Sequence, residues 1–94
     1  MIRWTDQAIE QLGRAHDYIA SSNSIEAADG VVRQMLSSVE RLASFPLSGR
    51  RGRIAGTREL VIPNTPFTAA YTVAKHDVVI LALYHGAQKW PDAL

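Results

Sequence analysis

Four arginines lie within a nine-residue stretch near the middle of the chain: Arg50, Arg51, Arg53 and Arg58. The 94-residue chain has a formal net charge of only +1, so the cluster is a local feature of an otherwise balanced protein. Guanidinium groups bind phosphate or carboxylate oxygens in pairs, and the neighbouring glycines allow the loop to follow a partner's backbone. We therefore expect Arg50, Arg51 and Arg53 to bind phosphate or an acidic partner. A solvated loop that keeps a small domain soluble is the alternative.

Arg58 differs from the other three arginines because it lies within a predicted strand. Its parity along the strand matches that of Leu60 and Ile62, so it shares their face of the sheet. An arginine aligned with apolar positions is more often held by a partner or a groove than left in solvent.

His85, which ends the last predicted strand beside Tyr84, is the candidate for proton transfer. The pKa of an imidazole lies near neutrality, which suits a general acid or base. Cleavage of RNA by attack of its 2′-hydroxyl needs a base, an acid and cations that stabilise the phosphorane. His85, Tyr84, Arg58 and Arg50 include these residue types. A structural histidine, hydrogen-bonded to backbone at the strand end, is the alternative interpretation.

The composition limits the class of protein. A chain of 94 residues predicts one domain, spanning residues 1–94, and 47% apolar residues are typical of a globular fold. The absence of cysteine excludes disulfides, and the three scattered histidines do not suggest a metal site, so we expect no metal or cofactor. The longest apolar run, Val78–Tyr84, is far shorter than the ~20 residues of a membrane-spanning helix. Without a recognisable signal peptide, a cytoplasmic location is expected.

The N-terminal half of the chain predicts a short strand followed by two helices. Ile2–Trp4 fits the strand, and Thr5 or Asp6 is expected to cap the first helix. Asn23 and Glu26 have capping-box spacing at the start of the second helix, predicted over Ile25–Ala43. Helices joined by so short a break form an antiparallel hairpin. The apolar stripe of the first helix comprises Ile9, Leu12, His16 and Ile19 with Ala8 and Ala15, and that of the second comprises Ala28, Val32, Met35, Val39 and Leu42.

The C-terminal half changes to the period of β-strands. Thr57–Ile62 is rich in β-forming residues and is followed by the turn Pro63–Pro66. Phe67–Ala74 alternates between a more and a less apolar face, and Val78–Tyr84 is apolar on both faces, as in a central strand. The order β-α-α-β-β-β predicts an α+β fold, with the helical hairpin packed on a three- or four-stranded antiparallel sheet. We expect the opposite face of the sheet, with the arginine loop and His85 at its rim, to be the functional surface.

Four features in this order resemble the RelE/ParE toxins of bacterial type II toxin–antitoxin modules, also known as plasmid stabilisation proteins. They are the helical hairpin after Trp4, the segment Phe45–Arg50, the segment Gly56–Val61, and a β-hairpin leading to Tyr84–Gln88. The resemblance implies a growth-arresting toxin that a cognate antitoxin neutralises in a hetero-oligomer.

The resemblance leaves the target open. RelE-type members cleave mRNA in the ribosome, and ParE-type members block DNA gyrase. We lean toward metal-independent mRNA cleavage, an endoribonuclease (mRNA interferase) activity, with His85 as acid or base, Tyr84 orienting the substrate, and Arg58 among the phosphate ligands. A non-enzymatic gyrase inhibitor and a degenerate member that only binds its antitoxin remain alternatives. The strand Phe67–Tyr71 lacks the arginine of several nucleolytic members, and Thr57–Leu60 replaces the Tyr-Arg-Lys signature common in gyrase-directed members.

The resemblance also implies a particular partner segment. The C-terminal part of such an antitoxin orders on contact with its toxin, as disordered binding segments commonly do. We expect this segment to be acidic, because its counterpart here would be Arg50–Arg58.

Overall fold

Two helices and five strands make up the fold in a computed structural model that describes residues 1–86. Ala87 and Gln88 of the family-like tail, and Trp90 after them, lie outside the described residues. The elements are β1 (Ile2–Trp4), α1 (Asp6–Ser22), α2 (Ile25–Glu40) with a 3₁₀ turn (Arg41–Ala43), β2 (Arg50–Arg51), β3 (Arg58–Val61), β4 (Phe67–Ala74) and β5 (Asp77–His85).

The strands form one mixed sheet in the order β1-β5-β4-β3-β2. The α+β class and the order of the predicted elements are confirmed, but the sheet is larger than expected and is not purely antiparallel. β1 runs parallel to β5, with Ile2 opposite Val78 and Trp4 opposite Ile80. The additional strand is β2, which we had predicted as loop. It is only two residues long, too short to show an alternating pattern.

Threonine and serine hydroxyls begin the two helices. Thr5 Oγ1 accepts a hydrogen bond from the Ala8 N–H at 3.1 Å and donates to the Leu81 carbonyl at 3.1 Å, which ties the start of α1 to β5. Ser24 Oγ caps α2 by accepting from the Ala27 N–H at 3.0 Å. The predicted capping role of Asn23 is therefore wrong. Its backbone N–H instead donates to the Ile19 carbonyl at 2.8 Å and closes α1.

The helical hairpin packs on one face of the sheet and forms the main core with it. The predicted stripe of α2 is confirmed, and its Met35, Val39 and Leu42 are fully buried. Most of the predicted stripe of α1 is confirmed, but Ile9 at its edge is 55% exposed while Ala8 is fully buried. The contact with the core follows Ala8, Leu12, Ala15 and Ile19. Neither helix in the described chain is long and apolar enough to cross a bilayer.

An irregularity in β5 decides which side chains share a face of the sheet. Ala70 lies opposite Ala82, but the next residue of β4, Tyr71, lies opposite Ile80, so Leu81 is skipped in the register. Such a bulge shifts the alternation of the bulged strand. As a result Leu83 belongs with Ile80 to the helix-covered face.

Candidate functional site

The strand pairing divides the arginine cluster between the two faces of the sheet. Arg50 lies directly opposite Glu59, and Arg51 lies directly opposite Arg58. Residues opposite one another point to the same side, and successive residues of a strand alternate. Arg50 and Glu59 therefore share the face away from the helices, and Arg51 and Arg58 share the helix-covered face.

The carboxylate of Glu59 binds two of the arginines. Its carboxylate is only 3% exposed and accepts hydrogen bonds from Arg50 Nη2 at 2.9 Å, from Arg53 Nε at 3.1 Å and from the Arg53 backbone N–H at 2.8 Å. Burial raises the pKa of Glu59, but the hydrogen bonds from Arg53 and Arg50 outweigh it, so the pKa lies below its ordinary value. The carboxylate is thus an anion that holds the β2–β3 connection in place.

Glu59 pairs across the strands with Arg50 and not with its sequence neighbour Arg58. Glu59 and Arg58 are neighbours in one strand and point to opposite faces. The pairing of Glu59 with Arg50 follows from the register of β2 against β3, which places the two residues opposite one another. The sequence alone does not specify this register.

On the other face, Arg58 and Tyr71 hold the segment that follows α2. Arg58 Nη1 donates to the Leu47 carbonyl at 3.3 Å and to the Gly49 carbonyl at 2.9 Å. The buried Tyr71 hydroxyl donates to the Pro46 carbonyl at 2.8 Å and accepts from the Gly49 N–H at 2.9 Å. Tyr71 was not among the candidate residues, although a tyrosine in a buried strand usually needs a partner for its hydroxyl.

Arg51 and Arg58 line a cleft of about 550 Å³, which we call the arginine cleft. It lies at the end of the sheet where β3 begins. Leu47 and Val73 supply apolar walls that are 63% and 37% exposed. The remaining lining residues in the described part of the chain are Gly52, Ala55, Gly56, Thr57 and Thr72, and none of these carries a carboxylate.

His85 lies in a different place, in a cleft of about 470 Å³ between α1, the start of β4 and the end of β5. Its ring packs edge-on against Phe67, with the ring centroids 5.4 Å apart. Because Phe67 belongs to the helix-side core, His85 is on the helix-covered face, and the expectation that it borders the opposite face is wrong. Arg14 and Tyr18 of α1 also line this cleft, and the sequence did not connect them with His85.

Tyr84 points away from His85, to the opposite face, where it packs with Ala70 and Ala82. Burial leaves it 4% exposed and raises the pKa of its hydroxyl. Arg58 is distant from both, since it pairs with Tyr71 whereas His85 pairs with Phe67, four residues along β4. These positions differ by about 13 Å along the strands and about 9.5 Å across them. The three residues predicted to act together do not converge.

Metal-binding side chains are also dispersed. Within residues 1–86, no three histidine, aspartate or glutamate side chains are grouped so that they could hold a metal ion.

Three comparisons with known proteins agree with this fold and chain length. A family model described as "ParE toxin of type II toxin-antitoxin system, parDE" matches residues 2–90. A relative from Sinorhizobium fredii with the name "Putative toxin Y4kP" is 41% identical over 93 residues, which are 99% of this chain and 95% of the relative. A solved structure, "Chromosomal ParDE TA system from P. aeruginosa", superposes with a TM-score of 0.82 at 24% identity and covers 89% of this chain and 92% of that chain.

The structural match alone shows the shared fold. The family model, however, spans almost the entire sequence, and the relative has a similar length and high identity. The resemblance noted from the sequence is therefore confirmed, and the chain belongs to the ParE family of toxins of type II toxin–antitoxin systems.

Proposed function

We propose that this protein arrests growth by binding DNA gyrase through surface contacts, without cleaving a substrate, and that a cognate antitoxin neutralises it. Membership in the ParE family supports the toxin role and the antitoxin. The choice of target rests mainly on one observation, the separation of His85, Tyr84 and Arg58.

The separation matters because phosphoryl chemistry is demanding in its geometry. A general base, a general acid and the cations that stabilise a phosphorane must all reach one phosphodiester, within hydrogen-bonding distance of their atoms. Here Tyr84 and His85 face opposite sides of the sheet, and Arg58 is two strands away from His85. Binding by contact requires only an exposed surface of suitable charge and shape.

Messenger RNA cleavage is a second candidate, and the cleft beside α1 favours it. That cleft brings His85, Arg14 and Tyr18 together, which combines a titratable ring, a cation and a phenol at one site. Arg14 is ion-paired with Glu10, which reduces its availability for phosphate.

The experiment that distinguishes the targets is induction of the toxin without its antitoxin. Growth arrest with gyrase-linked DNA breaks, and with no new RNA 5′ ends, is the expected result. His85→Ala should leave arrest intact, and the exposed His76→Ala serves as the matched control. New RNA 5′ ends at regular codon positions, lost in His85→Ala, would overturn the proposal in favour of mRNA cleavage.

Full viability on induction would contradict both mechanisms. The protein would then be a family member that binds an antitoxin but has lost its toxicity.

A further inference from the structure

We propose that the arginine cleft binds a carboxylate side chain from an extended acidic segment of the antitoxin, through Arg51 and Arg58. This assignment rests on the proposed pairing with an antitoxin, and it narrows the contact from the whole cluster to two of its four arginines. Arg50 and Arg53 are less available as primary contacts because both already donate to the carboxylate of Glu59.

The first argument for the proposal is that Arg51 and Arg58 lack a negatively charged partner among the described residues. Within residues 1–86, neither Arg51 nor Arg58 forms an ion pair, whereas the other two arginines of the cluster share a buried carboxylate. Like charges directly opposite one another across a strand pair destabilise a sheet. Arg58 is in addition partly buried, which makes an unpaired charge more costly. An anion bound between Arg51 and Arg58 would remove both penalties.

Arg58 also has unused hydrogen-bonding capacity. A guanidinium carries five N–H donors. In the described chain, both of its hydrogen bonds come from Nη1 and go to the carbonyls of Leu47 and Gly49. Nε and Nη2 of Arg58 therefore remain available to donate to a ligand. The two hydrogen bonds from Nη1 hold the side chain in position beside the cleft. A donor group fixed in advance loses less conformational entropy when a carboxylate binds.

The walls of the cleft favour a peptide over a nucleic acid. Leu47 and Val73 are exposed apolar side chains, and Tyr71 holds the backbone of the Leu47 segment through Pro46 and Gly49. Such walls suit apolar residues two positions before and after an acidic one, because alternate side chains of an extended segment share a face. A phosphate backbone would instead require a wide basic surface, and the formal net charge of the whole chain is only +1.

The cleft itself can be tested with a defined probe. The ¹⁵N-labelled toxin is titrated with the peptide acetyl-Leu-Ser-Glu-Ser-Leu-amide and with its glutamine counterpart, acetyl-Leu-Ser-Gln-Ser-Leu-amide. The glutamate peptide should shift the Nε–H resonances of Arg51 and Arg58 and the Gly52 amide, with at least fivefold stronger binding than the glutamine peptide. Equal binding of the two peptides, or shifts elsewhere, would overturn the proposal. Stronger shifts of the same resonances by a six-nucleotide RNA would assign the cleft to nucleic acid and also overturn it.

The identity of the occupant is tested with the antitoxin encoded beside the toxin gene. The dissociation constant is measured from 50 to 400 mM salt for wild-type toxin, Arg51→Glu and Arg33→Glu. Arg33 is an exposed arginine of α2, so the second variant makes the same change in net charge away from the cleft. Arg51→Glu should weaken binding at least tenfold and flatten its salt dependence, while Arg33→Glu changes it less than twofold.

The two measurements separate the failure of this proposal from the failure of the proposed function. Equal effects of Arg51→Glu and Arg33→Glu would show that the antitoxin does not occupy the cleft, even if the peptide does. If wild-type toxin does not bind the antitoxin at all, the proposed function fails together with the assigned occupant, and the peptide titration still decides whether the cleft selects carboxylates.

Discussion

One buried carboxylate determines which arginines of the cluster can meet a partner. Glu59 accepts hydrogen bonds from Arg50 and Arg53, and its own position is fixed by the ladder between β2 and β3. Charge-assisted hydrogen bonds of this kind are stronger than neutral ones, and the bonded arginines are less available for binding elsewhere. Glu59 thus separates the four arginines into two groups. Arg50 and Arg53 are bound to its carboxylate, whereas Arg51 and Arg58 are not.

Replacing Glu59 with glutamine should destabilise the fold by about 1–3 kcal/mol at pH 7, because two half-exposed guanidinium groups lose their anion. The folded-state pKa of Glu59 lies below its ordinary value of 4.5. Its stabilising contribution is therefore complete above that value and is lost as the pH falls through the folded-state pKa.

The difference in unfolding free energy between wild type and Glu59→Gln should accordingly shrink below about pH 4.5. Urea unfolding from pH 3 to pH 7 measures it, with the exposed Glu40→Gln as a control that stays within about 0.5 kcal/mol of wild type. A difference that does not change with pH would show that Glu59 is not the ionised centre of the cluster.

The sequence identified the residue types of the candidate site but not its grouping. Arg58 was expected to lie with apolar positions, and it does share its face with Tyr71. The separation of Tyr84 from His85 follows from strand alternation. The placement of His85 on the helix side depends on the bulge at Leu81, and a bulge leaves no pattern in an unbroken apolar strand. Arg14 and Tyr18 join the cleft of His85 only because α1 packs against β5. That packing joins distant parts of the chain and cannot be derived from the local sequence.

At the scale of elements, the segment between α2 and β2 is irregular in sequence but fixed in structure. Tyr71 and Arg58 together make four hydrogen bonds to its backbone. This segment positions Leu47 and leads directly into β2, so it sets the shape of the arginine cleft. Gly49 is required there for space, since a β-carbon would lie 2.5 Å from the Tyr71 hydroxyl oxygen and 2.9 Å from the Glu59 carbonyl oxygen.

Gly49→Ala should therefore destabilise the protein by about 1–3 kcal/mol, because the backbone of β3 cannot easily move away. Gly13→Ala provides the contrast, since in the described chain a β-carbon at this position in α1 meets no atom within 4 Å beyond its chain neighbours and the backbone of its own helix. Alanine there should stabilise by about 0.5–1 kcal/mol. Urea unfolding of both variants tests this, and a Gly49→Ala protein as stable as wild type would show that the segment is not held tightly against β3.

The longer helices and strands could be predicted from the sequence, and the shortest strand could not. Helices of 16 and 17 residues and strands of 8 and 9 residues carry enough periods to be recognised, and their predicted bounds are close to the observed ones. β2 was missed because two arginines show no alternation. The parallel pairing of β1 with β5 could not be derived from either strand, because it depends on contacts between residues 76 positions apart.

At the scale of the whole molecule, binding of the antitoxin should raise the stability of a small domain. A partner that binds only the folded state at 100 times its dissociation constant adds about 2.7 kcal/mol. For a domain of 60–100 residues this corresponds to an increase in Tm of roughly 10–20 °C. Differential scanning calorimetry with increasing antitoxin measures it.

The increase in Tm should be smaller for Arg51→Glu and unchanged for Arg33→Glu, and it should fall with added salt in the wild type. An equal increase for wild type and Arg51→Glu would argue against a contribution of the arginine cleft to the complex.

The parallel pairing of β1 with β5 has a consequence for synthesis of the protein. The first strand, the cap of α1 at Thr5 and the side chain of Gln11 all find partners in β5, at Val78–Ile80, Leu81 and Leu83. The ribosome extends a chain by about 5–20 residues per second, and contacts between distant residues form only after both have been made. The helical hairpin is made first, and its apolar face is covered only after β3, β4 and β5 have followed. A nascent toxin therefore has no complete sheet, and no complete binding surface, until β5 has been synthesised.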